Sequence, residues 1–366
     1  MNSAAKTSRS TDSGSAGEGV DFGKMLLEGR AFFALIAIIA IFSFLSPNYF
    51  ALENFLTMAS HVAIYGILAI GMLLVIINGG IDLSVGSTLG LSGVVAGFFM
   101  QGVTLNLFGV VLYPSVWVVV VLCCLLGAVI GLINGMLIAR FRVPAFVATL
   151  GVMYVVRGFA LLMTNGLTYN NLGGQADLGN TGFDYLGFDR LFHVPVGVLI
   201  LAVIAMLGSL ALNRSAFGRW LYASGGNERA AELAGVPVKH VQISVYVLSG
   251  VCAAIAGLIL SSQLTSAGPT AGTTYELTAI AAVVIGGASL MGGSGNIRGT
   301  LLGAFVIGFL SDGLVIIGIS SYWQTVFTGA VIVLAVLLNA IQYRRRPKRS
   351  APTGGQLASP QGGSNA

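Results

Sequence analysis

Apolar runs separated by short polar breaks occupy the chain from about residue 31 to residue 341. A membrane-crossing helix needs about 20 mostly apolar residues, with a working range of roughly 17 to 25. Ten runs fit or approach that length: 31–45, 58–77, 87–100, 116–138, 146–163, 196–212, 243–264, 277–290, 300–319 and 322–341. The first, third and eighth are short, so they are expected to be extended by flanking residues, tilted or broken. The pattern predicts an all-α polytopic membrane protein of about ten transmembrane helices.

The break at Asn78-Gly-Gly-Ile-Asp-Leu-Ser-Val-Gly-Ser87 interrupts this pattern most sharply. Irregular backbone at membrane depth is tolerated only where protein or a wet cavity covers it. A charge at that depth costs at least about 2.5–3.5 kcal/mol. Asp82 is therefore expected near the interface, paired, or hydrogen-bonded to free amides of the turn. Ser84 stands where it can cap the next helix. Asn78, Asp82 and Ser84 are candidates either for an interior path or for the tight turn that holds two spans together. A weak repeat links this break to a second one. Val75-Ile-Ile-Asn-Gly-Gly80 followed by Gly86-Ser-Thr-Leu-Gly90 resembles Val284-Ile-Gly-Gly287 followed by Gly299-Thr-Leu-Leu-Gly303. Paired glycine-interrupted apolar segments are a pointer to a transport path. Glycines four residues apart (86 and 90, 93 and 97, 127, 131 and 135, 299 and 303) predict close helix packing.

Charge sets the expected topology. Ten spans put both termini on one side. All but two of the 18 Lys and Arg residues then fall on that side, the exceptions being Arg157 within a span and Arg190 in an opposite loop. Basic bias in short loops marks the cytoplasm, so both termini are expected inside. The opposite loops include 164–195, the longest, and 46–57 and 265–276, which hold Glu53 and Glu276. The 164–195 loop is either a solvated connector or a surface for an external partner. Arg157, Asp312, Gln263, Gln324 and His61 interrupt the spans. Arg157 and Asp312 would make a pair, although no feature of the sequence brings them together.

The inside loop 213–242 is long enough to hold a helix of its own. Asn227 can act as N-cap, with Glu228 in the positive first turn. Ala230, Ala231, Leu233 and Ala234 form the body. Gly235 and Pro237 end it. The result is a two-turn rod outside the membrane, suited to a groove on a partner or to lying on the bilayer.

Only 8% of the 366 residues are Asp, Glu, Lys or Arg, against 55% hydrophobic. A soluble domain carries roughly 25% charged residues, so a soluble fold is excluded. The net charge of +5 is accounted for by topology, and no nucleic-acid partner is expected. The three cysteines fit neither a disulfide framework nor a zinc site. There is no phosphate loop, no metal cluster and no nucleophile constellation, so no cofactor, metal or enzymatic activity is expected. Residues 1–28 read as a disordered tail, 29–343 as the helical domain, and 344–366 as a basic, then polar, tail.

Four blocks carry a resemblance: Asn78-Gly-Gly-Ile-Asp-Leu-Ser-Val-Gly86; Asn134-Gly135 with Val143-Pro-Ala-Phe-Val-Ala-Thr-Leu-Gly151; Gly225-Gly-Asn-Glu228 with Leu233-Ala-Gly235; and Val284-Ile-Gly-Gly-Ala-Ser-Leu290 with Gly292-Gly-Ser-Gly-Asn-Ile-Arg-Gly-Thr300. Over about residues 30 to 341 the chain resembles the membrane permeases of bacterial ABC importers for ribose, xylose and related sugars. The resemblance implies a multi-pass protein of the bacterial inner membrane, paired with a second permease copy or a near relative. Its further partners would be cytoplasmic ATP-binding subunits, a periplasmic or surface solute-binding protein, and membrane lipid around it. Gly226, Asn227, Glu228, Arg229, Ala231, Leu233 and Gly235 would then form the coupling helix that meets the ATPase. The rival expectation is a self-sufficient proton-coupled carrier using Asp312; a channel or passive scaffold is a third.

Overall fold

The computed structural model describes residues 30–47, 49, 51–105 and 110–345. The expected tails lie outside the described residues, apart from Arg344 and Arg345 at the end of the last helix. In chain order the elements are α1 (Arg30–Leu45), α2 (Leu52–Ile77), α3 (Val85–Met100), the strands β1 (Val103–Leu105) and β2 (Val110–Leu112), α4 (Val116–Ala139) and α5 (Ala145–Thr164). Next come β3 (Tyr169–Asn170), β4 (Arg190–Leu191), β5 (Val194–Pro195), α6 (Val196–Arg214), α7 (Ala216–Gly226), α8 (Glu228–Leu233) and α9 (Val238–Gln263). Last are β6 (Ser266–Ala267), α10 (Tyr275–Ile285), α11 (Ile297–Ile316) and α12 (Ser321–Arg345).

Among the described residues, α2, α4, α5, α6, α9 and α11 are long and apolar enough to cross a membrane. Shorter apolar helices lie at Ala31–Leu45, Val85–Met100, Tyr275–Ile285 and Tyr322–Leu334. Each of the ten apolar runs coincides with one of these helices. The largest difference at a C-terminal boundary is at the eighth, expected over 277–290, whose helix stops at Ile285. Gly286 and Gly287 stop it. The Gly287 amide bonds the Val284 carbonyl at 3.0 Å and the Ala288 amide reaches back to Val283 at 3.1 Å, with Gly287 at φ +93°. That is the left-handed glycine stop that satisfies the last carbonyls of a helix.

The centre is formed by α2, whose most apolar window is 89% buried, and by α9, at 67%. The corresponding windows of α4, α5 and α6 are 22–28% buried, and these helices present exposed Val, Leu and Phe outward. The glycine ridge of α4 lies against α9: side chains at Gly127 and Gly131 would strike the Gly250 and Tyr246 carbonyls, and one at Gly135 would come within 2.8 Å of the Ile243 Cα. The ridge therefore does what its spacing predicts and lets two backbones touch.

The strands form three antiparallel pairs, β1–β2, β3–β6 and β4–β5. The segment 265–276 is not the surface loop that its sequence suggests. From β6 it descends along α3, with Ala267 beside Gly97, Pro269 and Ala271 beside Gly90, and Gly272 beside Gly86.

Candidate functional site

The break after α2 repeats the glycine stop of α10. The Gly79 amide bonds Ile76 at 2.9 Å and the Gly80 amide bonds Val75 at 3.0 Å, with Gly79 at φ +83°. Asp82 lies two residues further on and is 1% exposed. Its Oδ1 accepts from the Ser84 amide at 3.0 Å and the Ser84 hydroxyl at 2.7 Å. Its Oδ2 accepts from the Ser249 hydroxyl of α9 at 2.9 Å. The Asn134 side chain of α4 donates to Ser84 Oγ at 2.8 Å, and Thr149 of α5 donates to the Ile81 carbonyl at 3.2 Å. Three helices, α4, α5 and α9, are thus tied to one turn. Of the three expected settings for Asp82, the one present is hydrogen bonding within the turn, extended by Ser249. Ser84 occupies the N-cap position of α3 but makes no side-chain cap bond; its hydroxyl donates to Asp82 and its oxygen accepts from Asn134 instead. Two buried polar atoms beside this network, Asn134 Oδ1 and the Tyr246 hydroxyl, have no protein partner among the described residues.

The 213–242 loop folds into two helices. The first, α7, was not foreseen in the sequence. Ser215 starts it, accepting from the Gly218 amide at 3.2 Å. The second, α8, is the expected rod. Asn227 caps it, accepting from the Ala230 amide at 3.0 Å. Gly235, at φ +83°, closes it with its amide on Glu232 and the Val236 amide on Ala231. Six residues give a rod about 9 Å long. Ala231 is buried, whereas Leu233 is 76% exposed. Arg229 and Glu232 pair on the surface at 3.0 Å, a contact of at most a few tenths of a kcal/mol, roughly 0.3–0.5. Gln242 of α9 donates to Glu228 at 3.3 Å.

The rod and the break meet. Gly225, at the end of α7, packs against the Ile77 carbonyl and lies within 2.9 Å, measured from an added Cβ, of the Gly293 amide. The Gly293 amide itself donates to the Ile77 carbonyl at 2.8 Å. The Ser224 hydroxyl contacts the Asn78 side-chain oxygen at 3.2 Å, and the Tyr222 hydroxyl donates to the Gly295 carbonyl at 2.7 Å. Three backbones therefore converge without intervening side chains: the end of α2, the end of α7, and the loop between α10 and α11. Beside this joint is a cavity of about 560 Å³ lined by Asn78, Gly79, Arg142, Glu228, Lys239 and Tyr246, among others.

The remaining polar groups within spans are placed differently from the pairing the sequence raised. Arg157 and Asp312 do not meet. Arg157 donates to the Pro269 and Ala271 carbonyls at 2.6 and 2.8 Å. Asp312 contacts His61 Nδ1 at 3.1 Å. Gln263 donates to Ser60 Oγ at 2.8 Å. His61 and Asp312 are 251 residues apart in sequence, so no local pattern could have joined them.

A family model described as "Branched-chain amino acid transport system / permease component" matches residues 54–336. The chain is 44% identical over 315 residues to the ribose import permease protein RbsC of Escherichia coli K12, covering 86% of this chain and 94% of that one. It is 43% identical over 309 residues to RbsC of Bacillus subtilis 168, covering 84% and 91%. Against the galactose/methyl galactoside import permease protein MglC of Escherichia coli K12 the identity is 35% over 331 residues, covering 88% and 96%. A helical membrane architecture, a glycine-turned break and near full-length likeness to sugar permeases agree, and the chain belongs to the family of inner-membrane permeases of sugar ABC importers.

Proposed function

We propose that this permease carries a monosaccharide, with ribose the first candidate, through a path completed by a second permease copy, and that α8 is the handle through which a separate ATPase subunit moves it. In this reading all ten apolar helices belong to the membrane part, both termini face the cytoplasm, and the 213–242 loop is on that same side. Residues 29–343 form the permease domain, flanked by the two tails. The chain has no nucleotide site of its own. ATP is hydrolysed elsewhere, and a solute-binding protein delivers the sugar from the opposite side.

The observation that carries the reading is the joint at Gly225. A six-residue rod, capped at Asn227 and closed at Gly235, is joined through α7 to the end of α2 and to the loop between α10 and α11 by backbone contact. A lever needs such a connection, since flexible side chains would absorb a small displacement and packed backbones transmit it. Gly226, Asn227, Glu228, Arg229, Ala231, Leu233 and Gly235 are assigned to the ATPase contact or its shape. Asn78 is assigned to the joint. Asp82 and Ser84 are assigned to the turn and not to solute contact, because both are buried and bonded.

The test is Gly235→Arg in the assembled transporter. ATP-driven uptake of labelled ribose is expected to fall at least about tenfold while ATP hydrolysis continues, since a side chain at a left-handed position costs about 1–2 kcal/mol and reshapes the rod's end. Normal uptake by this variant would overturn the reading. So would uphill uptake by the purified chain alone in proteoliposomes, which would favour the proton-coupled carrier using Asp312.

A further inference from the structure

The contacts of the descending segment act as depth marks. Ala267 packs on Gly97, near the end of α3, and Gly272 packs on Gly86, in its first turn. At 1.5 Å per residue the stretch from Gly97 to Gly86 covers about 16 Å, half of a hydrocarbon core about 30 Å thick. A second mark agrees: the Tyr275 ring packs on Tyr65, at the middle of α2, with ring centroids 5.1 Å apart. The start of α10 therefore lies at mid-membrane depth. With 11 residues, α10 is about 16 Å long and covers only the remaining half of the core.

The groups gathered at this depth are polar. Thr270, Thr273 and Thr274 are exposed; Arg157, Tyr65, Tyr275 and Glu276 are half-buried. The Glu276 carboxylate lies against Gly86 of α3 and stands within electrostatic reach of Arg157. Arg157 gives two donors to the Pro269 and Ala271 carbonyls, so it holds the descending segment against α3. Elsewhere α5 shows Val155, Phe159 and Leu162 to its surroundings, as a lipid face does. A polar face at this depth cannot lie against hydrocarbon. Each charge would cost at least about 2.5–3.5 kcal/mol there, and each unbonded hydroxyl about 1–3 kcal/mol. Either protein or a wet cavity must cover it, and the exposed threonines favour the wet cavity.

We propose that residues 268–276 form a station on the solute path at mid-membrane, at which Thr270, Thr273 and Glu276 exchange hydrogen bonds with the hydroxyls of a sugar-sized polyhydroxylated solute. Arg157 is a positioning residue that fixes the segment. The chemistry suits transit: the Thr270 hydroxyl can donate and accept, the Thr273 hydroxyl donates to the Thr270 carbonyl at 2.6 Å and keeps its lone pairs for an incoming hydroxyl, and separate single hydroxyls bind too weakly to hold the solute. This inference rests on the permease reading and adds residues of the path to it.

The experiment uses the full transporter, with ATPase and binding protein, in membrane vesicles. Thr273→Cys and Thr270→Cys are built in a chain whose half-buried Cys124 is changed to Ala, and are treated with a membrane-impermeant thiosulfonate. Leu162→Cys, at a position 74% exposed on the apolar face of α5, is the lipid control. Thr273→Cys is expected to react at least about tenfold faster than Leu162→Cys, because the reactive thiolate forms only where water reaches it, and the adduct is expected to block uptake of labelled ribose. Equal slow reaction of Thr273→Cys and Thr270→Cys, in vesicles that still take up ribose with ATP, would overturn the station and leave the permease reading intact. Uptake of ribose that proceeds without ATP before any labelling would instead defeat the permease reading.

Discussion

The glycine turns that end α2 and α10 have the same backbone and very different surroundings. In both, one amide closes back three residues and the next closes back five. After α2 the chain turns through a buried carboxylate that accepts three hydrogen bonds, with partners from α3 and α9 and a further tie from α4 through Ser84. After α10 there is no carboxylate. Residues 289–296 run to Asn296, which caps α11 by accepting from the Gly299 amide at 2.7 Å. Their outside fixings are the Gly293 amide on Ile77 and the Tyr222 hydroxyl on Gly295. The first turn is thus bolted chiefly to α4, α5 and α9, and the second is fastened to the end of α2 and to α7. The comparison teaches where rigidity is spent: the first turn uses a buried hydrogen-bonded carboxylate, while the joint at Gly225 uses close backbone approach, which in the proposed lever would transmit push without locking an angle.

The largest expected effect is at the joint itself. Gly225→Val would drive a branched side chain into the Ile77 carbonyl and the Gly293 amide, both backbone, at about 1–3 kcal/mol or more. ATP-driven uptake in vesicles should vanish, while Gly329→Ala in α12, with open space around it, should retain uptake near the parent rate. Similar uptake by the two variants would show that the joint carries no motion. A smaller effect is expected at the first turn. Asp82→Ala removes the acceptor of the Ser84 amide and of two hydroxyls, and each stranded buried group costs about 1–3 kcal/mol. The apparent melting temperature in detergent should drop clearly, and less for Asp82→Asn, which keeps one acceptor oxygen. Equal melting of parent and Asp82→Ala would remove the distinction between the two turns. The smallest effect is at Tyr222→Phe, which deletes one hydrogen bond worth about 1 kcal/mol. Melting should hardly change, but more ATP should be hydrolysed per ribose taken up. An unchanged ratio would mean that the Gly295 contact is passive.

Hydropathy made the helices legible, because a run of apolar residues must be buried or in lipid whatever its neighbours do. The rod was legible because Asn227, Gly235 and Pro237 are local signals with local causes. Arg157 and Asp312 invited a pairing because both are costly in a membrane, yet each found a nearer partner through tertiary contact. Helix α7 was missed because Gly218, Gly225 and Gly226 lower its helix propensity; Ser215, an N-cap residue type, was the available signal. The descending segment was missed for a different reason. Gly268, Pro269, Thr270 and Gly272 have the composition of a surface loop, and depth is set by what packs beside a segment, here the glycines of α3. Asp82 was singled out by its cost in a membrane, but only the fold shows that Ser249, far along the chain, helps meet that cost.

Tyr169–Asn170 and Ser266–Ala267 pair as a two-residue ladder. The 164–195 excursion and the strand leading down to Arg157's carbonyl partners are consequently one mechanical piece. In the proposed reading, a protein alighting on that excursion would hold a cord whose other end hangs halfway through the bilayer. If such a visitor shifts the cord, then by reciprocity a sugar lodged at the proposed lower station would change the grip above by the same factor.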